Sequence, residues 1–366
     1  MKKLILYLLL VLLTENIVAQ NTGNPYAFFV AGHTYGSPIT PSHYGLHYPF
    51  ADYIPNINNY PFIEFGVLTG DVVVHSTEAY WDSAIVDMNK LNMPVYVAAG
   101  NHDMGQEFIK KFERYYFSFK LHGDLFIVLT PGLNSWNIAG EQLDFLTETL
   151  DSNYQSVNNI FIFMHELIWW SPDNEYKNII INFAPHYPGS TNWESVVKPL
   201  LLSYPNNFTV YAGDLGCTNS VTPFMYHHFD NITLIGSGMG GGVRDNIVVT
   251  EVNGNSVYYN LIAINGDDPK ALGELTDFSL TGMPEPKFSG EVQIYPNPVS
   301  DFFYVKNNDS VDFEVSIYNS VGMLMKTTTV STYSKRRIET QQFASGVYIV
   351  SGTGGASGFV RKLLVK

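Results

Sequence analysis

Six short apolar runs punctuate the first two-thirds of the chain: Tyr26 to Val30, Phe65 to Leu68, Pro94 to Ala98, Leu125 to Leu129, Ile160 to Met164 and Phe208 to Ala212. Brief runs without alternation are the pattern of strands buried on both faces. Between some of them the period lengthens. Ser76 to Leu91 places Tyr80, Trp81, Ala84, Ile85, Met88 and Leu91 at helical spacing, and Glu141 to Leu150 opens with a helix-compatible EQLDFL. From Tyr226 to Ile264 the pattern is mainly strand-like, and its last part predicts a hairpin turning at Asn253-Gly254-Asn255. Alternating strands and helices predict an α/β domain with a substantial β share.

The texture changes after a polar stretch from Gly266 to Gly290. Its Pro284-Glu285-Pro286 favours extended backbone and marks a linker. Beyond it, short β-type runs alternate with turns: Phe302 to Lys306, Asp312 to Asn319, Met323 to Val330, Gly346 to Ser351 and Phe359 to Val365. Phe313, Val315 and Ile317 share one face at period two, and the segment predicts a small all-β sandwich. At the other end, Met1-Lys2-Lys3, the apolar run Leu4 to Leu13 and Ile17-Val18-Ala19 read as a secretory signal peptide cut after Ala19. The expected organisation is a signal peptide at 1–19, an α/β domain at 20–264, a linker at 265–290 and a β-sandwich at 291–366.

Charge follows the same boundary. Residues 20–286 hold 9 basic and 27 acidic side chains, whereas 287–366 hold 9 basic and 6 acidic. With a net charge of −14, the chain is not expected to bind nucleic acid, because phosphate backbones repel such a surface. No later run is long and apolar enough for an integral membrane span. The single cysteine, Cys217, excludes an internal disulfide and reads as a small buried hydrophobe.

Chemistry gathers where strands end. Five apolar runs stop at polar clusters: Ala31-Gly32-His33, Gly70-Asp71, Gly100-Asn101-His102-Asp103, His165-Glu166 and Gly213-Asp214. Loops at strand ends can converge on one crevice. Imidazoles, carboxylates and a carboxamide brought together suit Zn, Mn or Fe, and the set lacks the thiolates of a structural zinc site.

Gly70-Asp71, Gly100-Asn101-His102-Asp103 and His165, in that order, resemble the calcineurin-like metallophosphoesterase superfamily. The resemblance spans roughly residues 26–264. It implies a four-layer α/β/β/α sandwich and a two-metal site in which one carboxylate bridges both ions; one or two divalent or trivalent ions, Zn, Mn or Fe, are expected on this chain. Carried onto this chain, it makes Asp71 the bridging carboxylate, with Asn101, His165 and Asp214 completing one metal shell and His33 serving the other. It makes His102 the group that protonates the leaving oxygen or stabilises the phosphoryl group, oriented by Asp103. Ile294-Tyr295-Pro296-Asn297-Pro298 with Asp301, Ser345-Gly346-Val347-Tyr348 and the closing Arg361-Lys362-Leu363-Leu364-Val365-Lys366 resemble a type IX secretion C-terminal sorting domain. This second resemblance implies contact with a secretion machinery and export through periplasm and outer membrane to the cell surface or medium.

Two departures bear on activity. Ala31 stands where the superfamily has a carboxylate, and Gly216 where it has the second histidine of a Gly-His-x-His motif. The expected function is a secreted metal-dependent phosphoesterase that hydrolyses a small phosphoester by metal-activated water at an atypical, mononuclear or weakly dinuclear site. The alternative is a catalytically degenerate binding or structural module. His43, His47, His75 and Glu166 are candidates to fill the gap. Trp169 and Trp170 are expected either to wall the pocket or to pack in the core, and Arg244 to clamp phosphate or lie on the surface.

Overall fold

The computed structural model describes residues 25–37, 44–182, 191–240, 242–265, 292–307, 311–319, 323–354 and 357–366. The segment read as a signal peptide, nearly all of the segment read as a linker, His43 and His186 lie outside the described residues. In the first part, the elements in chain order are β1 (Tyr26–Ala31), α1 (Tyr48–Asn58), β2 (Ile63–Thr69), α2 (Glu78–Met88), β3 (Val95–Ala98), α3 (Gln106–Phe112), β4 (Phe117–Leu121) and β5 (Asp124–Val128). They continue with α4 (Glu141–Asn153), β6 (Asn159–Met164), α5 (Lys198–Leu202), β7 (Asn207–Ala212), β8 (Phe224–Phe229), β9 (Ile232–Ser237), β10 (Asn246–Asn253) and β11 (Ser256–Ala263).

These strands form two mixed sheets, ordered β11-β10-β1-β2-β3 and β4-β5-β6-β7-β9-β8. β1, β2 and β3 run parallel in the first, and β5, β6, β7 and β9 run parallel in the second. The two sheets share an aromatic core. Phe28, Val30, Phe65 and Val67 meet Phe126, Phe161, Phe163 and Tyr211, all at 2% exposure or less. The alternate residues of β1 (Ala27, Phe29 and Ala31) turn to the other face, against Phe50 and Ile54 of α1 and Trp81 and Ala84 of α2. The far face of the second sheet packs Ile160, Ile162 and Val210 against Leu146 and Leu150 of α4. Helix, sheet, sheet, helix is the expected four-layer order, and period two within each strand builds it by feeding two different cores.

The hairpin arrives as read: β10 and β11 pair with Asn253 opposite Ser256, closing on Gly254 and Asn255. Helix α1 is a departure, since two prolines (Pro49 in its first turn and Pro55 within it) obscure its period in the sequence.

Residues 292–366 contribute β12 (Val292–Tyr295), β13 (Phe302–Asn307), β14 (Phe313–Asn319), β15 (Leu324–Val330), β16 (Lys335–Glu339), β17 (Gly346–Gly354) and β18 (Ser357–Val365). A three-stranded sheet, β12-β13-β16, and a four-stranded sheet, β15-β14-β17-β18, enclose a core that includes Phe303, Val305, Phe313, Val315, Ile317 and Val350. Among the described residues, no helix is long and apolar enough to cross a membrane.

Candidate metal centre

Parallel strands end on the same side of a sheet, so the loops after β1, β2 and β3 gather at one edge. The loops after β6 and β7 meet them there from the second sheet. Backbone contacts lock the junction: His33 N–H donates to Gly70 O at 3.0 Å, Tyr35 N–H to Asp71 O at 3.0 Å, and Gly213 and Asp214 N–H to His165 O at 2.9 and 3.0 Å. The crossing is too tight for side chains at its glycines. A Cβ on Gly70 would lie 2.5 Å from the His165 ring, and one on Gly100 would lie 2.3 Å from Asp71 Oδ1. His33 and Asp71 themselves adopt left-handed backbone, with φ of 55° and 52°, a conformation non-glycine residues seldom hold except where surroundings impose it.

Four expected residues converge. His33, Asp71, His165 and Asp214 are buried to 1% exposure or less. His33 Nε2 lies 3.5 Å from Asp71 Oδ2, and His165 Nε2 lies 3.4 Å from Asp71 Oδ1 and 3.7 Å from Asp214 Oδ1. One ligand atom each of His33, Asp71 and Asp214 fit within 4.8 Å of one another. His165 Nδ1 donates to Thr69 O at 2.9 Å, which directs Nε2 toward the carboxylates. That Nε2, Asp71 Oδ2 and both Asp214 oxygens have no hydrogen-bond partner of good geometry. Buried polar groups are ordinarily paired, so such a cluster calls for a bound group. The donors fit a cation: ligands about 2.1 Å from a tetrahedral ion stand roughly 3.4 Å apart.

Electrostatics agree. Burial lowers the pKa of His33 to about 4, which keeps the ring neutral and able to ligate. Burial opposes charge on Asp71, yet His165, His33 and His102 together hold its pKa well below the usual carboxylate range. Burial pushes Asp214 up to about 6, with His165 pulling down and Asp71 pushing up. Burial also opposes a charged His165, but Asp71 and Asp214 carry its pKa well above the normal imidazole value.

The remaining expected residues divide. His102 stands at the rim with its side chain 34% exposed and Nε2 4.0 Å from Asp71 Oδ2. Its backbone N–H donates to Asp71 Oδ1 at 3.2 Å. Its ring is oriented by Val74, whose carbonyl receives the Nδ1 hydrogen at 2.8 Å. This corrects the role read for Asp103. That carboxylate is buried and accepts from Val72 N–H, Val73 N–H and Gly100 N–H at 2.8, 3.1 and 2.9 Å. It therefore ties the loop after β2 to the loop after β3 and leaves the His102 ring to Val74. Burial and the nearby Asp71 charge push its pKa up to about 7. Asn101 is exposed, unlike the four residues of the cluster.

Other candidates resolve structurally. Trp169 is 1% exposed and packs on Trp193, and Trp170 donates to Ile179 O, so both hold the core and the connection between β6 and β7. Arg244 donates to Asn219 O and Val221 O, stapling two loops. His47 bonds Asp245 at 2.8 Å, and His75 packs edge-on against Tyr80. Glu166 is fully buried, with neither oxygen partnered, and burial pushes its pKa up to about 7. Two residues escaped the sequence reading. The Tyr35 ring lies 4.5 Å from that of His33 and 5.2 Å from that of His102, and the Asn182 amide reaches His33 Nε2 at 3.3 Å. Tyr35 had a signal, two positions beyond His33. Asn182 had none, being 149 residues away.

Residues 39–215 match the family model for calcineurin-like phosphoesterases, and residues 293–366 match that for secretion system C-terminal sorting domains. The match to the calcineurin-like phosphoesterase model lies wholly within the large domain. The match begins after His33 and closes one residue beyond Asp214, a narrower span than the resemblance in the sequence suggested. Among solved structures, the chain is similar to a purple acid phosphatase, PPD1, from yellow lupin (Lupinus luteus) seeds, at 12% identity and a TM-score of 0.46, covering 85% of this chain and 55% of that one. The chain thus spans about half of that protein's length. It is also similar to dimeric latent PorU from Porphyromonas gingivalis, at 16% identity and a TM-score of 0.18, covering 33% of this chain and 12% of that one. No functionally curated protein matches the chain. The sorting domain points to export, to the cell surface or beyond, and to contact with a secretion machinery.

The two positions at which the large domain departs from the superfamily pattern are built into its packing. Ala31 is fully buried among the residues facing the helices. Gly216 has φ of 69°, and a Cβ there would lie 2.4 Å from Gly238 O. The position of the missing histidine is closed by the glycine-rich loop after β9, so a side chain there would need that loop to move.

Proposed function

We propose that the chain is an exported phosphoesterase that hydrolyses a small phosphoester at a mononuclear centre held by His33, Asp71, His165 and Asp214. The carrying observation is this set of buried donors from four strand-end loops, with unpartnered oxygens and an unpartnered imidazole nitrogen facing one another. Zn, Mn or Fe bound there would supply Lewis-acid charge to the phosphoryl oxygens and lower the pKa of water.

The chain's own residues account for the rest. Thr69 holds the Nδ1 hydrogen of His165, so Nε2 is the nitrogen left to a cation, which would displace the proton that Asp71 and Asp214 favour there. Asp103 holds the Asp71 and His102 loops in register through three backbone N–H groups. His102 is the imidazole of the group most open to solvent. With Nδ1 committed to Val74, its Nε2 is free to pass a proton to the departing alcohol oxygen. The acidic surface disfavours polymeric nucleic acid and suits a small diffusible ester.

The second reading, a binding module that retains the fold without turnover, draws support from Ala31 and Gly216. One assay separates them: protein stripped by chelator and reloaded with Mn, Zn or Fe is tested on p-nitrophenyl phosphate and bis-p-nitrophenyl phosphate. Metal-dependent release of p-nitrophenol is the expected result, and the preferred ester assigns monoesterase or diesterase. Bound metal with no turnover of either would favour the module.

A further inference from the structure

The turn after β1 carries one more polar group to the centre. Tyr35, two residues beyond His33, is only 7% exposed. Its ring lies between two imidazoles, 4.5 Å from that of His33 and 5.2 Å from that of His102. The turn that holds it is fixed on every side. Tyr35 N–H donates to Asp71 O at 3.0 Å, Gly36 N–H to His33 O at 2.9 Å, and His47 N–H to Thr34 O at 2.8 Å. His47 is held in turn by Asp245 at 2.8 Å, and Asp245 accepts from Gly240 N–H at 2.7 Å, in the loop that closes position 216. Within this fixed frame the Tyr35 hydroxyl makes no hydrogen bond. A phenol so nearly buried ordinarily has a partner. Burial pushes its pKa up, and the next causes are Asp71, Cys217 and Asp214, from the loops after β2 and β7. The hydroxyl therefore keeps its hydrogen and has no group of the protein to give it to.

Phosphoryl transfer spreads negative charge over three equatorial oxygens, and a single ion serves only part of that set. The rest needs donors from the chain. Among the described residues, the ion-pair partners of Asp71 and Asp214 are imidazoles, and no lysine or arginine pairs with either. Arg244 is committed to Asn219 O and Val221 O. A neutral donor already held in place is what remains, and such donors act strongly because nothing reorganises when charge develops. We propose that the Tyr35 hydroxyl donates a hydrogen bond to a non-bridging phosphoryl oxygen of the substrate, between the ligand His33 and the proton donor His102. The phenol keeps its hydrogen throughout and takes no part in bond making or breaking; proton delivery stays with His102. The inference rests on the phosphoesterase reading above and adds a substrate contact outside the strand-end motifs.

The test is Tyr35→Phe in the full chain, stripped by chelator and reloaded with Mn²⁺, beside wild type. The variant loses one oxygen and no hydrogen bond within the protein, so the melting temperature of its metal-free form is expected to equal or exceed that of wild type. Its Mn²⁺ content, read by elemental analysis, is expected to match as well. On p-nitrophenyl phosphate and bis-p-nitrophenyl phosphate, kcat for the preferred ester is expected to fall by about ten- to a thousandfold, with KM within about threefold of wild type. Calorimetric titration with orthovanadate, which mimics the five-coordinate phosphoryl group, is expected to show binding weakened by about tenfold or more. Wild-type kcat and wild-type orthovanadate affinity in the variant would overturn the assignment. So would a loss of Mn²⁺ or a lowered melting temperature that accounts for the lost turnover, because Tyr35 would then be a prop for His33. If loaded wild type hydrolyses neither ester, the phosphoesterase reading itself falls and takes the role of Tyr35 with it, whereas turnover that Tyr35→Phe leaves untouched sinks Tyr35 alone.

Discussion

The two β-rich parts of the chain treat buried polarity in opposite ways. In the C-terminal sandwich, the buried polar side chains among the described residues are Asn307 and Thr340, and both are served. Asn307 donates to the carbonyls of Val311, Val330 and Ser331, and Thr340 donates to that of Ser300. In the large domain, His33, Asp71, His165, Glu166 and Asp214 are equally buried, yet each keeps a ring nitrogen or carboxylate oxygen without a partner. An unpaired buried polar group costs roughly 1–3 kcal/mol, more when charged. The sandwich, which matches the sorting-domain model, avoids that cost. The large domain concentrates it at one junction, which makes sense where a cation supplies the missing partner.

The sharpest break of this contrast is Asp71→Asn. It removes a charge shared by three imidazoles and is expected to abolish metal occupancy, read by elemental analysis of the purified protein; a fully loaded variant would contradict the shared-ligand role. Next comes His102→Ala, expected to lower kcat by about two to four orders of magnitude while metal content stays near wild type. Unchanged turnover would remove His102 from proton transfer. In the sandwich, Asn307→Ala strands three carbonyls and is expected to cost about 1–3 kcal/mol in the unfolding of residues 291–366, with metal binding intact. Chemical denaturation followed beside metal titration reads both.

A further break lies in the pH dependence of the metal-free chain. The folded pKa of Glu166 is raised from 4.5 to about 7, so the folded state holds its proton more tightly than the unfolded state does. The stability this contributes is full below pH 4.5 and is lost as pH rises through 7. Glu166→Gln keeps the neutral form throughout. The variant's melting temperature is therefore expected to gain on wild type between pH 4.5 and 7 and to run parallel above. A constant difference across that range would show that Glu166 titrates normally.

Much of the architecture is legible in the sequence, since strands fed from both faces read as plain apolar runs and all six have counterparts among the described strands. Helix α1 is obscured by Pro49 and Pro55, and β16 by charges at Lys335, Arg336, Arg337 and Glu339 around the single buried Ile338. Within the centre, His33, Asp71, His165 and Asp214 are legible because each follows a strand directly. The positions of Asp103, Asn101 and Asn182 are not. Whether a carboxylate faces a histidine or a row of N–H groups depends on a backbone turn, and whether a distant amide arrives depends on how the connection between β6 and β7 is fastened.

The sequence alone determined the two-part organisation, the alternating strands and helices, and the residue types at each strand end, because these follow from local period and composition. Tertiary structure decided which strand ends meet and that no side chain fits at position 216. It also decided that Val74 orients His102, and which amide stands beside His33. Those outcomes turn on contacts between segments far apart in the chain: Thr69 with His165 across 96 residues, and His33 with Asn182 across 149. Their geometry exists only once two sheets have packed through a shared aromatic core.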